Sequence, residues 1–153
     1  MTPQGRTNQL LYQAQLLLEQ EPGTDEQAIP RQMAHEEGAL ALCELALESL
    51  LREVTEHARL ASHDWRELLA TDGHQVAELQ RLRDIAAQPD SWLGWWIARF
   101  NALHTNDGAA RRPSANPGVI AVGNSVSLGQ ALLSSLAQAK QEIVTLRETS
   151  QEW

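Results

Sequence analysis

Residues 33–54 read MAHEEGALALCELALESLLREV, and this stretch decides the fold of the chain. Its apolar side chains recur every three or four residues, which is the period of an amphipathic α-helix. The same spacing continues on both sides, so the sequence predicts one long helix from about Gln27 to Ala61. Additional apolar residues widen the stripe at mid-helix, namely Leu42, Leu45 and Ala46. A stripe of this width predicts contact with two or more neighbouring helices.

Other segments of the chain show the same helical period. We expect helices at about 7–20, at 65–69 after a cap at 62–64, at 76–86, at 92–103 and from 127 to the end. Pro22 and Gly23 end the first of them, and Asp90 is the expected N-cap of the segment at 92–103. Ser127 and Gln130 have the spacing of a capping box. The sequence therefore predicts a chain built from helices.

Residues 105–124 differ from the rest because Gly, Pro, Asn and Ser dominate there, and Val119–Val122 is the one part expected to be extended. A loop of this length is either a tolerated insertion or a binding element. We predict an all-α fold, an antiparallel bundle of four to five helices with one long Pro/Gly-rich loop before the last helix. The whole chain, residues 1–153, is expected to form a single domain.

The charge and cysteine content restrict the classes of function. A formal net charge of −8 repels nucleic-acid phosphates and anionic lipid heads, so neither is expected as a partner. The single cysteine, Cys43, lies in an apolar run and is predicted to be a core residue of a protein in a reducing compartment. We identify no secretory signal and no membrane span, and we expect a cytoplasmic location.

Motifs for metal, nucleotide or hydrolase chemistry are absent from the sequence. No histidine has a glutamate three residues before it, and no two histidines are four residues apart, as helical metal sites require. Phosphate-binding glycine loops and a nucleophile elbow are missing as well. We therefore expect no metal and no cofactor. The acidic residues of the long helix are expected to form a solvated face: Glu36, Glu37, Glu44, Glu48, Glu53 and Glu56.

One catalytic spacing occurs twice, as Arg52 with His57 and as Arg99 with His104. It matches the Arg-x4-6-His pattern of helical-bundle ribonucleases related to toxin–antitoxin systems, in which histidine transfers a proton and arginine binds phosphate. Residues five apart lie about 140° from each other around a helix, so neither pair converges unaided. Glutamates one turn before and after Arg52 favour an exposed ion-pair ladder there.

The aromatic residues of the segment at 92–103 suggest a partner surface. Trp92 and Trp96 share a face, which is typical of a core stripe, whereas Trp95 points away and could be exposed. Exposed tryptophan beside a Pro/Gly-rich loop is a reasonable interface anchor. The partner-binding candidates are Trp92, Trp95, Trp96, Arg111 and Arg112.

Three short motifs resemble an uncharacterised protein family. They are Arg6-Thr-Asn-Gln-Leu-Leu-Tyr12, Pro89-Asp-Ser-Trp-Leu93 and the closing Leu146-Arg-Glu-Thr-Ser-Gln-Glu-Trp153. Together they resemble small helical proteins from Pseudomonas and related gammaproteobacteria, known as a domain of unknown function. The resemblance spans nearly the whole chain. It implies a helical fold and a bacterial cytoplasmic setting, and it brings no activity or catalytic residue.

Three functional hypotheses follow from the sequence. The leading one is a non-catalytic protein–protein interaction module, with a protein partner or homodimerisation through the long helix or the tryptophan segment. The alternative is a ribonuclease that uses Arg99 and His104. A third and weaker hypothesis is a small apolar ligand held between helices and closed by the loop.

Overall fold

The computed structural model describes residues 1–70, 75–111 and 126–151, and all regular structure in these ranges is helical. Six α-helices are present there: α1 (Pro3–Glu19), α2 (Ala28–Val54), α3 (Trp65–Leu68), α4 (Ala77–Ala86), α5 (Trp92–Leu103) and α6 (Leu128–Gln151). A single 3-10 turn, Glu56–Ala58, follows α2. The predicted all-α fold is confirmed, and the packing of α1, α2, α4, α5 and α6 agrees with the predicted bundle.

Helices α1 and α2 pack as an antiparallel hairpin. The Thr7 hydroxyl donates to Ser49 Oγ over 2.8 Å at one end of the pair. At the other end Leu17 contacts Gly38, where an added Cβ would lie 2.9 Å from Leu17 Cδ2. Glycine at position 38 therefore allows α1 to approach α2 closely. Helix α1 begins four residues earlier than predicted, because Pro3 fits the first helical position and the Thr2 side chain accepts from Gly5 N.

The predicted extent of the long helix was wrong at its C-terminal end. Helix α2 ends at Val54, and the chain turns through the 3-10 segment to Arg59, which has a positive φ of 49°. Helix ends with left-handed backbone are usually marked by glycine, and position 59 is arginine. The sequence therefore carries no helix-stop signal at this position. Residues 55–61 consequently do not continue the helix.

Short polar side chains cap the N-termini of α3, α5 and α6. Asp64 caps α3 by accepting from Arg66 N, as the cap predicted at 62–64 requires. Ser91 rather than Asp90 caps α5, since its hydroxyl accepts from Gly94 N over 2.9 Å. Ser127 Oγ accepts from Gln130 N before α6. The segment predicted to be extended, Val119–Val122, lies outside the described residues.

Helix α6 lies parallel to α2 and antiparallel to α1 and α5, as the contacts between them define. Glu36 and Glu53 on α2 contact Gly129 and Arg147 on α6 in the same order along both helices. Buried apolar side chains from the helices form one continuous core. Its largest fully buried members are Trp96 and Phe100 from α5. None of the helices in the described ranges combines the length and the apolar character needed to cross a membrane.

The acidic face of α2 is not uniformly solvated, which corrects the expectation from the sequence. Glu36 is buried, with 7% of its surface exposed. The side chains of Glu44 and Glu53 are 19% and 12% exposed and receive bonds from other elements. The donors to these carboxylates lie far away in the chain, so only tertiary packing places them near α2. These three glutamates, together with Glu37, which accepts from Ala110 N, join α2 to other parts of the chain.

Candidate functional site

A pocket of about 680 Å³ opens between α2, α5 and the start of α6. This size lies within the range of about 300–1,000 Å³ that is typical of binding pockets. Its wall combines apolar, aromatic and cationic side chains, among them Ile29, Met33, Trp95, Arg99, Arg111 and Val126. We call it the α2–α5–α6 pocket.

Arg99 carries the unusual electrostatic feature of this pocket. Its Nε atom is buried and has no hydrogen-bond partner among the described residues. Its guanidinium lies 5.4 Å from the ring centroid of Trp95, one turn earlier on α5, within the range of a cation–π contact. An N–H group that is buried without an acceptor costs free energy. Arg99 also has no ion pair with a described residue, so its charge is open to a carboxylate.

The three tryptophans of α5 occupy two different environments. Trp92 and Trp96 are 3% and 1% exposed, and their indoles donate to Glu142 and Ser135 on α6 over 2.7 Å each. Their indole rings also meet edge to face, with centroids 5.1 Å apart. Both are core residues in this structure, and their surfaces are not available to a partner. Trp95 is partly buried and lines the pocket.

Arg111 reaches the same pocket because the chain after α5 is tied to α2. Ala110 N donates to Glu37 Oε1 over 3.3 Å, and Gly108 adopts a positive φ of 73° as the chain passes this carboxylate. A Cβ at position 108 would lie 2.5 Å from Glu37 Oε1, so glycine is needed for the approach. Arg111 itself has no ion pair with a described residue. Arg112 lies outside the described residues.

Glu36 is the acidic residue of the pocket wall within the described ranges. Its Oε2 accepts from Gly129 N over 2.7 Å, at the first turn of α6. The N-terminus of a helix carries a partial positive charge that stabilises a carboxylate. Glu36 therefore interacts with α6, and no hydrogen bond or ion pair joins it to Arg99 or Arg111 in the part of the chain that the structure describes.

The family model described as "Family of unknown function (DUF6586)" matches residues 1–153. The chain belongs to DUF6586. This result agrees with the resemblance to a domain of unknown function that the sequence motifs carry. No match to this DUF6586 chain is found among the curated proteins or among the solved structures.

A second cluster of the DUF6586 chain surrounds Glu44, and it contains His104. Glu44 Oε2 accepts from Trp65 Nε1 over 2.9 Å, and Glu44 Oε1 lies 2.8 Å from His104 Nε2. Arg66 approaches Glu44 at 3.7 Å and lies over the ring of Trp65, 4.2 Å from its centroid. We call this arrangement the Glu44 cluster. The sequence identified His104 and missed Glu44, because the partners of Glu44 lie 21 and 60 residues away.

The two arginine–histidine spacings do not assemble into pairs within the described residues of the DUF6586 chain. Arg99 stacks on Trp95, whereas His104 bonds to Glu44. Arg52 forms an ion pair with Glu48 at 3.1 Å, which is one half of the predicted ladder. Glu56, the other glutamate of that ladder, and His57 lie beyond the end of α2 in the 3-10 segment. Arg99 and His104 do not meet because residues five apart lie about 140° from each other around a helix.

A larger depression of about 1,060 Å³ lies beyond the C-terminal end of α2 in the DUF6586 chain. Two acidic side chains of its lining are engaged inside the chain. Glu53 binds Arg147, and Glu78 accepts from the Ser150 hydroxyl over 3.1 Å. Within the described ranges, no group of three His, Cys, Asp or Glu side chains is arranged to hold a metal ion. The α2–α5–α6 pocket differs from it in holding an arginine, stacked on a tryptophan, whose buried Nε has no acceptor among the described residues.

Proposed function

We propose that this chain is a non-catalytic protein–protein interaction module whose partner docks at the α2–α5–α6 pocket. The observation that carries the proposal is the combination of a partly buried tryptophan, an arginine with a buried unsatisfied Nε and exposed apolar side chains in one wall. Tryptophan and arginine are the residues most enriched among interface hot spots. A recess lined in this way suits the anchor of a partner protein.

Exposed apolar residues support the same surface. Ile29 and Val126 are 47% and 62% exposed, and both line the pocket. Single exposed apolar residues are ordinary, whereas several around one recess favour an interaction site. The competing ribonuclease hypothesis has less support because Arg99 and His104 contact different partners.

Site-specific photo-cross-linking tests this proposal. A photoreactive amino acid is introduced at position 29, and the full-length protein is irradiated in lysate of its source cell. Leu45 provides a matched control, because it lies on the same helix and is equally exposed, at 47%. We expect a discrete protein adduct from position 29 and none from position 45. Adducts of equal yield from both positions, or none from position 29, contradict the proposal.

A further inference from the structure

The geometry points to a specific chemistry for the partner: an acidic segment of another protein that presents a carboxylate beside an apolar side chain. This inference rests on the proposed function and deepens it. The carboxylate is received by Arg99 and Arg111, and the apolar side chain enters the recess beside Trp95.

The first support is the charge of the pocket wall. Arg99 and Arg111 line it, and neither has an ion pair with a described residue. Glu36, the acidic residue of this wall in the described ranges, is occupied by the N–H of Gly129. Two arginines against one glutamate leave the wall locally cationic, on a chain whose formal net charge is −8. A carboxylate complements this wall, whereas a basic segment is repelled from it.

The second support is the hydrogen-bonding capacity of Arg99. Guanidinium is a donor without acceptor capacity, and its fork of N–H groups matches a carboxylate. The buried Nε lacks an acceptor inside the described part of the chain. The other N–H groups of the guanidinium also have no acceptor among the described residues, and they bond to the partner carboxylate while Trp95 holds the guanidinium by stacking. The arginine is therefore already positioned before the partner arrives, which lowers the entropic cost of binding.

The third support is the apolar part of the recess. Ile29, Met33 and Val126 line it together with Trp95. An apolar side chain next to the partner carboxylate buries its surface here, at about 25 cal/mol per Å² removed from water. Apolar contact supplies affinity and the paired charges supply selectivity. The partner segment consequently needs both groups close together.

Two small probes that differ only in charge test the inference. N-acetyl-leucine presents a carboxylate beside an apolar side chain, and N-acetyl-leucinamide presents the same side chain without the charge. Each is titrated into isotope-labelled full-length protein, and NMR follows the indole N–H of Trp95 and the Nε–H of Arg99. We expect the acid to bind about tenfold more tightly than the amide, and less tightly as salt increases.

Matched arginine variants test whether the preference for the acid depends on the pocket. Arg99→Gln is expected to remove the preference for the acid, whereas Arg81→Gln, at an exposed arginine on α4, is expected to retain it. Equal affinities for the two probes, no binding of either probe, or a preference that survives Arg99→Gln overturns the inference. If octanoate binds much more tightly than N-acetyl-leucine, the inferred protein segment is wrong and a free amphiphile is favoured as the occupant. A dimer of the free chain that Arg99→Gln dissociates overturns it in favour of a second copy.

The probe titration and the cross-linking can fail independently. If position 29 cross-links to a protein and the acid shows no preference, the inference about partner chemistry fails and the proposed function stands. If the acid binds as expected but position 29 yields no adduct, the proposed protein interaction fails.

Discussion

The Glu44 cluster and the α2–α5–α6 pocket contain the same three residue types in different states of pairing. In each, an arginine stacks on a tryptophan near a glutamate of α2: Arg66 on Trp65 near Glu44, and Arg99 on Trp95 near Glu36. Glu44 accepts from Trp65 and lies close to Arg66, so its charge is used within the cluster. Glu36 binds the N-terminus of α6 instead, and Arg99 has no acidic partner among the described residues.

This difference separates a structural role from a binding role. A cluster whose donors and acceptors are matched stabilises the fold and has little left to offer a partner. A pocket whose arginines have no carboxylate partner among the described residues can bind a carboxylate from another molecule. Substitutions in the Glu44 cluster should therefore reduce stability, and substitutions in the pocket should reduce binding.

The two tryptophans provide the largest expected effect. Trp65 is 8% exposed and packs against Phe100 with ring centroids 6.1 Å apart. Trp65→Ala removes this packing and the bond to Glu44, at an expected cost of about 3–5 kcal/mol in the free energy of unfolding. Trp95→Ala is expected to cost about 1 kcal/mol, because the side chain is only partly buried. Urea denaturation measures both, and equal losses would remove the distinction between the regions.

Removal of the Glu44 carboxylate gives the next largest effect. Glu44→Ala leaves the indole N–H of Trp65 without its acceptor, which is expected to cost about 1–3 kcal/mol. Glu48→Ala is the matched control one turn further along α2, since it removes a more exposed ion pair with Arg52 and is expected to cost less than about 1 kcal/mol. Chemical denaturation of both variants checks this. A Glu44→Ala loss no greater than the control loss would show that the cluster contributes nothing to stability.

The buried Cys43 thiol of α2 makes the free energy of unfolding depend on pH in the alkaline range. Burial raises the pKa of Cys43 from its ordinary value of 9.0 to about 12. The folded state therefore keeps a proton that the unfolded state releases, and this contribution is complete below pH 9 and lost as pH rises towards 12. Relative to Cys43→Ala, the wild-type free energy of unfolding should fall by about 1.4 kcal/mol per pH unit above this point. Parallel pH slopes for the two proteins would refute the prediction.

His104→Ala is expected to have the smallest effect. Its side chain is 55% exposed, so loss of the bond to Glu44 should cost less than about 1 kcal/mol. We also expect no change in RNA cleavage, since His104 contacts Glu44 and Arg99 contacts Trp95. A cleavage assay on wild type and variant checks this. Cleavage by the wild type that the variant loses would favour the ribonuclease hypothesis.

The helices were predictable where local signals are strong. The apolar period of α2, the break at Pro22 and Gly23, and the caps at Asp64 and Ser127 correspond to features of the structure. The end of α2 at Val54 was not predictable, because neither proline nor glycine marks it and the turn depends on the left-handed Arg59. Backbone choices of that kind are made by packing rather than by local propensity.

The candidate site was predictable only in part. Trp95 and Arg99 are one turn apart on a helix, so their stacking could have been inferred from spacing. The hydrogen bond from Gly129 N to Glu36, 93 residues away, could not have been inferred, because it depends on how α6 packs on α2. The same limit explains why the acidic residues of α2 were expected to be solvated. Local periodicity predicts which face is apolar and gives no information on long-range polar partners.

Quantitative partner capture with matched double variants tests the central claim most directly. Wild type, Arg99→Gln/Arg111→Gln and Arg52→Gln/Arg81→Gln are used as tagged full-length proteins in the same lysate, and mass spectrometry compares the recovered partner. Both double variants remove two positive charges, so nonspecific electrostatic effects are balanced. We predict that a partner bound by wild type is retained by Arg52→Gln/Arg81→Gln and lost by Arg99→Gln/Arg111→Gln. Equal recovery with the two double variants would contradict the assignment of binding to the α2–α5–α6 pocket.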